Sequence, residues 1–212
     1  MIELYAVVDH PGPRLPTLAR LRTAATTRLA AIYAPADDGE ISPERLWRHE
    51  EIVEALMQDR DLLPVRYGTR LDDERAATRF LTDREEPLVS ALDDVRGAVE
   101  LAVRVLRTGE RPDARSRPDP VTSGAEYLRR KAGSAAAERS ATLAVHEPLS
   151  AAARRDVRRP SSVTGELLRA AYLVDRNRVD EFVSLVARLQ DANPALRLLC
   201  TGPWPPYSFA ER

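Results

Sequence analysis

The sequence predicts a mixed α+β protein with two domains. Alternating apolar residues, typical of strands, occur at residues 2–8, 99–105 and 168–174. Between these segments, apolar residues recur at helical spacing. The stretch 108–122 is polar and rich in proline, as linkers between domains are. We therefore expect domains over residues 1–107 and 123–212, joined by a linker at 108–122.

The composition is that of a soluble globular protein. Of the 212 residues, 43% are hydrophobic and 31% are charged. The formal net charge of -1 argues against nucleic acid or an anionic lipid membrane as a partner. The first residues lack the basic and apolar regions of a signal peptide, and no segment has the ~18 consecutive apolar residues of a membrane helix. We expect a cytoplasmic protein.

The first domain begins with two predicted strands. Residues 2–8 are apolar on both faces, which predicts a strand in the centre of a sheet. Residues 26–33 predict a second strand, although residues 24–31 also suit a helix by propensity.

A capped helix and a further strand follow. Ser42 is a good N-cap, and Pro43 suits the first helical position because its missing N–H is not needed there. Leu63, Val65 and Tyr67 then alternate as in a strand, which Gly68 should end.

The remainder of the first domain predicts helices at 71–81 and 85–94 and a strand at 99–105. The resulting order, β-β-α-β-α-β, indicates a ferredoxin-like domain built on a split β-α-β unit.

The second domain should contain a long helical arm and a small β-α-β unit. Residues 125–143 form an alanine-rich helix with a thin apolar stripe, packed against a partner helix. Residues 151–157 are either that partner or a continuation of the arm. A strand at 168–174, a helix at 179–189 and a strand at 196–201 follow. Three prolines in residues 202–209 remove backbone donors, so this tail should be extended.

No set of residues converges as catalysis requires. The three histidines share no metal-ligand spacing, so we predict no catalytic residue, cofactor or metal. His49 lies on the apolar stripe of its helix and is either a core histidine, bonded to backbone or to an acid, or an acid–base group. Glu50 and Arg66 can form a structural ion pair across the helix–strand joint. The alternative is a small-molecule-binding or catalytic domain with a pocket around His49, Glu50 and Arg66.

Aromatic residues are candidate partner contacts. Trp47 lies off the apolar stripe of its helix, so it either covers another element or anchors a partner. In the tail, Trp204, Tyr207 and Phe209 either pack back onto a sheet or are offered to a partner protein.

Five short motifs resemble one family. They are Leu-Trp-Arg-His-Glu-Glu at 46–51, Leu-Pro-Val-Arg-Tyr-Gly-Thr at 63–69, Tyr-Leu at 127–128, Ala-Tyr-Leu-Val at 171–174 and Gly-Pro-Trp-Pro-Pro-Tyr-Ser-Phe at 202–209. In this order they resemble the GvpL/GvpF family of gas vesicle proteins, over essentially the whole chain.

The resemblance implies a non-enzymatic assembly factor or minor structural component of gas vesicles. It implies binding to the small hydrophobic shell protein GvpA, limiting GvpA aggregation, and contact with other gas vesicle proteins. We expect a cytoplasmic, vesicle-associated location. The candidate partner-binding residues are Trp47, Tyr127, Trp204, Tyr207 and Phe209, and the motif residues with structural roles are His49, Glu50, Arg66, Tyr67 and Gly68.

Overall fold

The computed structural model describes residues 1–17, 20–36, 42–108, 124–161, 163 and 165–210. Between residues 124 and 137, it describes the side chains of residues 129, 132, 133 and 136. Except for Thr108, the predicted linker therefore lies outside the described residues.

The chain forms two compact units. The first contains Met1–Glu100 and Pro203–Arg212, and the second contains Leu101–Gly202. The sequence instead grouped the strand near residue 100 with the first domain and the tail with the second. The domain limits 1–107 and 123–212 thus remain a prediction based on composition, whereas the units follow the contacts.

The sheet of the first unit is built around its first strand. Strand β1 (Ile2–Asp9) pairs antiparallel with three others, so its expected central position is confirmed. The strand order is β2-β3-β1-β4, with β5 also paired to β1. The other strands are β2 (Arg22–Ala25), β3 (Leu29–Pro35), β4 (Leu62–Pro64) and β5 (Arg70–Leu71).

Three helices belong to the first unit: α1 (Pro43–Met57), α2 (Glu74–Asp83) and α3 (Glu85–Val95). The predicted start of α1 is confirmed, because the Ser42 hydroxyl accepts a hydrogen bond from the Arg45 backbone N–H at 3.4 Å. Asp73 caps α2 in the same way, accepting from the Ala76 N–H at 2.8 Å. Both helices therefore begin where a side-chain acceptor satisfies an otherwise unpaired donor.

The predicted strand at 26–33 is wrong in one respect, since a tight turn interrupts it. The Thr26 N–H donates to the Leu29 carbonyl at 2.8 Å, and the Leu29 N–H donates to the Thr26 hydroxyl at 3.2 Å. These bonds close a hairpin between β2 and β3, whose residues Ala24 and Ala31 lie opposite each other. A threonine side chain can replace a strand partner in this way, and periodicity does not detect it.

The ferredoxin-like order predicted for the first hundred residues is not confirmed. The first unit begins with three strands before α1, and β6 (Ala98–Arg107) pairs in the sheet of the second unit. The strand expected to reach Tyr67 also ends earlier, at Pro64. Gly68 then adopts φ = +81°, a left-handed conformation that glycine tolerates best, so the turn predicted there is confirmed.

In the second unit, the order of elements is β-α-β-β-α-β, which is the split β-α-β order. Its sheet has the order β7-β8-β6-β9. The elements besides β6 are α4 (Gly124–Ala152), β7 (Arg155–Arg158), β8 (Glu166–Asp175), α5 (Val179–Ala192) and β9 (Leu196–Trp204). The mixed α+β class is therefore confirmed, and the order expected early in the chain occurs later.

Two expectations for the second domain need correction. Helix α4 continues through Pro148 to Ala152, and residues 155–158 form β7 against β8 rather than a partner helix. The core of this unit instead joins α4 to the sheet and to α5, through residues such as Val145, Tyr172 and Phe182.

The tail is not extended throughout. Strand β9 runs to Trp204, and the chain then turns, because the Tyr207 and Phe209 N–H groups donate to the carbonyls of Pro205 and Pro206 at 2.8 and 3.0 Å. Proline has no backbone N–H to donate, but its carbonyl oxygen can still accept a hydrogen bond, as it does in these turns.

Candidate functional site

His49 joins α1 to β1 and to Val65, the residue that follows β4. Its Nδ1 lies 3.2 Å from Glu3 Oε1, and its Nε2 lies 2.8 Å from the Val65 carbonyl oxygen. The side chain is 1% exposed. Since a carbonyl oxygen can only accept, Nε2 carries the proton of that bond. Both ring nitrogens thus have protein partners, as in the core-histidine interpretation of this residue.

Two tyrosines surround the imidazole. Tyr5 stacks on His49 with ring centroids 4.8 Å apart, and Tyr67 meets it edge-on at 5.6 Å. Burial, followed by the charge of Glu3, raises the pKa of Tyr5 above its usual value. The motif residues His49 and Tyr67 therefore pack in one aromatic cluster with Tyr5, which lies on β1.

An arginine-lined cavity of about 570 Å³ lies beside this cluster. Arg45 and Arg48 line it from α1, and Arg20 lines it from the connection between β1 and β2. Glu3 and His49 are also in its lining. We call this the arginine cavity. Sequence motifs do not indicate this cavity, although two arginines three residues apart on one helix are a partial signal of it.

Glu50 is bonded to the tail. Its Oε1 accepts a hydrogen bond from the Tyr207 hydroxyl at 3.2 Å. Burial is the main reason why the pKa of Glu50 is raised, while the bond from Tyr207 opposes the shift. Burial and the nearby Glu50 charge raise the pKa of Tyr207 well above its usual value. The tail and α1 are thereby connected within the first unit.

Neither of two cavities in the described part of the first unit is lined by all three residues of the alternative pocket. His49 lines the arginine cavity, whereas Arg66 and Tyr207 line a second cavity of about 540 Å³ together with Phe80 and Leu88. Glu50 is in the lining of neither. The structure thus gives no support to a pocket shared by His49, Glu50 and Arg66.

The C-terminal segment, residues 203–210, is held by carboxylates. The Ser208 N–H and hydroxyl both donate to Glu100, each at 2.8 Å. Phe209 is 2% exposed, and Tyr207 is partly buried. The structure therefore favours packing of Tyr207 and Phe209 onto the first unit over their exposure to a partner protein.

Other candidate partner residues are exposed. Trp47 is 71% exposed, and its neighbour Leu46 is 44% exposed. We call these two residues the α1 apolar patch. Trp204 is 41% exposed at the end of β9. Tyr127 lies in α4, where its side chain is outside the described residues.

The second unit contains another buried histidine. His146 Nδ1 lies 2.8 Å from the Tyr172 hydroxyl, and His146 Nε2 lies 3.6 Å from Asp156 Oδ2. Burial raises the pKa of Tyr172 above its usual value. This network crosses the core between α4 and the sheet, where it satisfies buried polar atoms.

Two other kinds of site are absent from the residues that the structure describes. No group of three or more His, Cys, Asp or Glu side chains among them is placed to hold a metal ion. No helix among them combines the length and apolarity needed to span a bilayer.

Comparison with known proteins decides the family. The model of the family described as gas vesicle synthesis protein GvpL/GvpF matches residues 3–211. The chain belongs to the GvpL/GvpF family.

Two curated members of the GvpL/GvpF family come from Streptomyces sp. (strain CB03234). Gas vesicle protein L is 36% identical over 202 aligned positions, covering 85% of this chain and 74% of that protein. Gas vesicle protein F is 31% identical over 229 aligned positions, covering 99% and 92%. Identity is higher to the L protein and coverage is higher to the F protein, so these values do not separate the two types.

Crystal structures of GvpF share the fold. GvpF from Anabaena sp. PCC7120 superposes with a TM-score of 0.83 at 18% identity, covering 100% of this chain and 96% of that chain. GvpF from Microcystis aeruginosa gives 0.80 at 17% identity, covering 100% and 99%. The similarity therefore extends over both units.

Proposed function

We propose that this GvpL/GvpF family member is a non-enzymatic assembly factor or minor structural component of gas vesicles. It binds the shell protein GvpA, limits GvpA aggregation during vesicle formation, and contacts other gas vesicle proteins. The observation that carries this proposal is the family match over residues 3–211, because it supports a role in gas vesicle formation. The proposed location is the cytoplasm, at the vesicle.

The α1 apolar patch is the proposed contact for the shell protein. A hydrophobic subunit is kept from aggregating when another protein covers its apolar surface reversibly. Trp47 offers a large apolar side chain with one polar N–H, which suits an interface anchor. Leu46, the preceding residue of α1, is also exposed. Trp204 is a second exposed aromatic candidate.

The function is tested by refolding GvpA from denaturant in the presence of this protein and measuring light scattering and co-purification. We expect the protein to lower the scattering and to co-purify with GvpA. Unchanged scattering together with no co-purification would contradict the proposed function.

The contact is tested with a double variant and a matched control. Leu46→Ala with Trp47→Ala should reduce co-purified GvpA at least about tenfold, since interface anchors contribute about 2 kcal/mol or more. Leu143→Ala with Val183→Ala removes two other exposed apolar side chains, on α4 and α5, and should leave GvpA binding unchanged. Equal losses from both double variants would reject the α1 apolar patch as the contact without rejecting the function.

A further inference from the structure

The arginine cavity carries a further inference, which does not depend on binding to GvpA. Arg45 and Arg48 project from α1 three residues apart, so their side chains start on one side of the helix. Arg48 and Arg20 have no ion pair with any residue that the structure describes. The cavity therefore presents guanidinium groups that its own described lining does not neutralise.

The acidic residue in the lining does not cancel this charge. Glu3 Oε1 faces Nδ1 of His49, while Nε2 of His49 donates to the Val65 carbonyl. Glu3 is the one acidic side chain in the described lining, against the three arginines Arg20, Arg45 and Arg48. Arginine keeps its charge at all ordinary pH values, so the described lining is net positive.

We propose that the arginine cavity binds the carboxylate groups of an acidic peptide segment of a partner protein. Guanidinium groups recognise carboxylates through paired, charge-assisted hydrogen bonds. Tyr5, Ile52 and Tyr67 supply apolar lining for the aliphatic stems of the acidic side chains. Three arginines around a cavity of about 570 Å³ can meet more than one carboxylate, which favours a peptide with several acidic side chains over a small free anion.

Binding of N-acetylated hexaglutamate to the full-length protein, measured by isothermal titration calorimetry at low salt, tests the proposal. We expect saturable binding of hexaglutamate and none of hexaglutamine. Arg20→Gln with Arg48→Gln should weaken binding at least about tenfold, since two charge-assisted contacts are lost. Glutamine is a good helix former, so α1 should persist.

The matched control is Arg75→Gln with Arg79→Gln. These two exposed arginines lie on α2, outside the lining of the cavity, and their removal changes the net charge equally. We expect this control to change the affinity less than about twofold, as for a remote exposed charge. An equal loss in both double variants would show non-specific attraction and would overturn the proposal.

Two further measurements complete the test. Free glutarate that binds as tightly as hexaglutamate would show a small-anion site and overturn the peptide assignment. Arg48→Lys keeps the charge and the helix but loses paired hydrogen bonding, so it should weaken binding about threefold even if the double variant unfolds. Unchanged affinity in Arg48→Lys would overturn recognition by the Arg48 guanidinium.

Discussion

Two aromatic regions of the first unit, the C-terminal segment and the α1 apolar patch, differ in burial and in hydrogen bonding. In the C-terminal segment, the donors of Ser208 bond to Glu100, and the Tyr207 hydroxyl bonds to Glu50. Phe209 is buried beside them. In the α1 apolar patch, Trp47 is 71% exposed.

This difference explains why the C-terminal segment stabilises the unit, whereas the α1 apolar patch is available to a partner protein. A chain end has many unpaired donors, and it can be buried only where acceptors meet them. Glu50 and Glu100 provide these acceptors, so the aromatic side chains of the segment can contribute to the core. Trp47 projects from a helix whose backbone bonds are already made, and it can remain exposed without loss of hydrogen bonds.

The largest effect should come from Phe209→Ala. Truncation of a buried phenylalanine removes apolar burial and leaves a cavity, so the free energy of unfolding should fall by about 3 kcal/mol. Urea denaturation monitored by circular dichroism measures this loss. A change below about 0.5 kcal/mol would mean that the C-terminal segment detaches readily, and the contrast with Trp47 would then fail.

The two regions also show which features can be predicted from the sequence. Periodicity correctly predicted α1 and the burial of His49, because both follow from local spacing. It did not predict that Glu100 would bond to Ser208, since these residues are 108 positions apart and no local pattern signals their contact. The hairpin at Thr26 escapes periodicity for a related reason, because a backbone bond and a side-chain bond between Thr26 and Leu29 turn the chain where a continuous strand is expected.

The candidate site was predictable to a similar extent. The position of Trp47 off the apolar stripe indicated that it does not belong to the core of its own helix. Whether Trp47 packs against another helix or strand is decided by tertiary contacts, which local spacing does not reveal. The arginine cavity needs Arg20 to meet α1 across β1 and β3, and the spacing of Arg45 and Arg48 supplies only part of that arrangement.

A smaller, pH-dependent effect should come from Tyr207→Phe. At neutral pH, loss of the hydrogen bond to Glu50 should lower the free energy of unfolding by about 1 kcal/mol. The pKa of Tyr207 is raised in the folded protein, so the contribution of its neutral form is complete below pH 10 and is lost as the pH rises further. The difference between wild type and variant should therefore narrow from pH 9 to pH 11 in urea denaturation. A difference that stays constant over this range would contradict the assigned cause of the pKa shift.

The smallest effect on stability should come from Leu46→Ala with Trp47→Ala. Exposed side chains contribute little to the folded state, so the free energy of unfolding should stay within about 0.5 kcal/mol of wild type in the same urea titration. The same variant should lose GvpA binding, whereas Phe209→Ala should keep it wherever the protein remains folded. A loss above about 1 kcal/mol would mean that the α1 apolar patch contributes to the core. The two regions would then differ in degree of burial and not in role, because a side chain that stabilises the unit is not available to a partner.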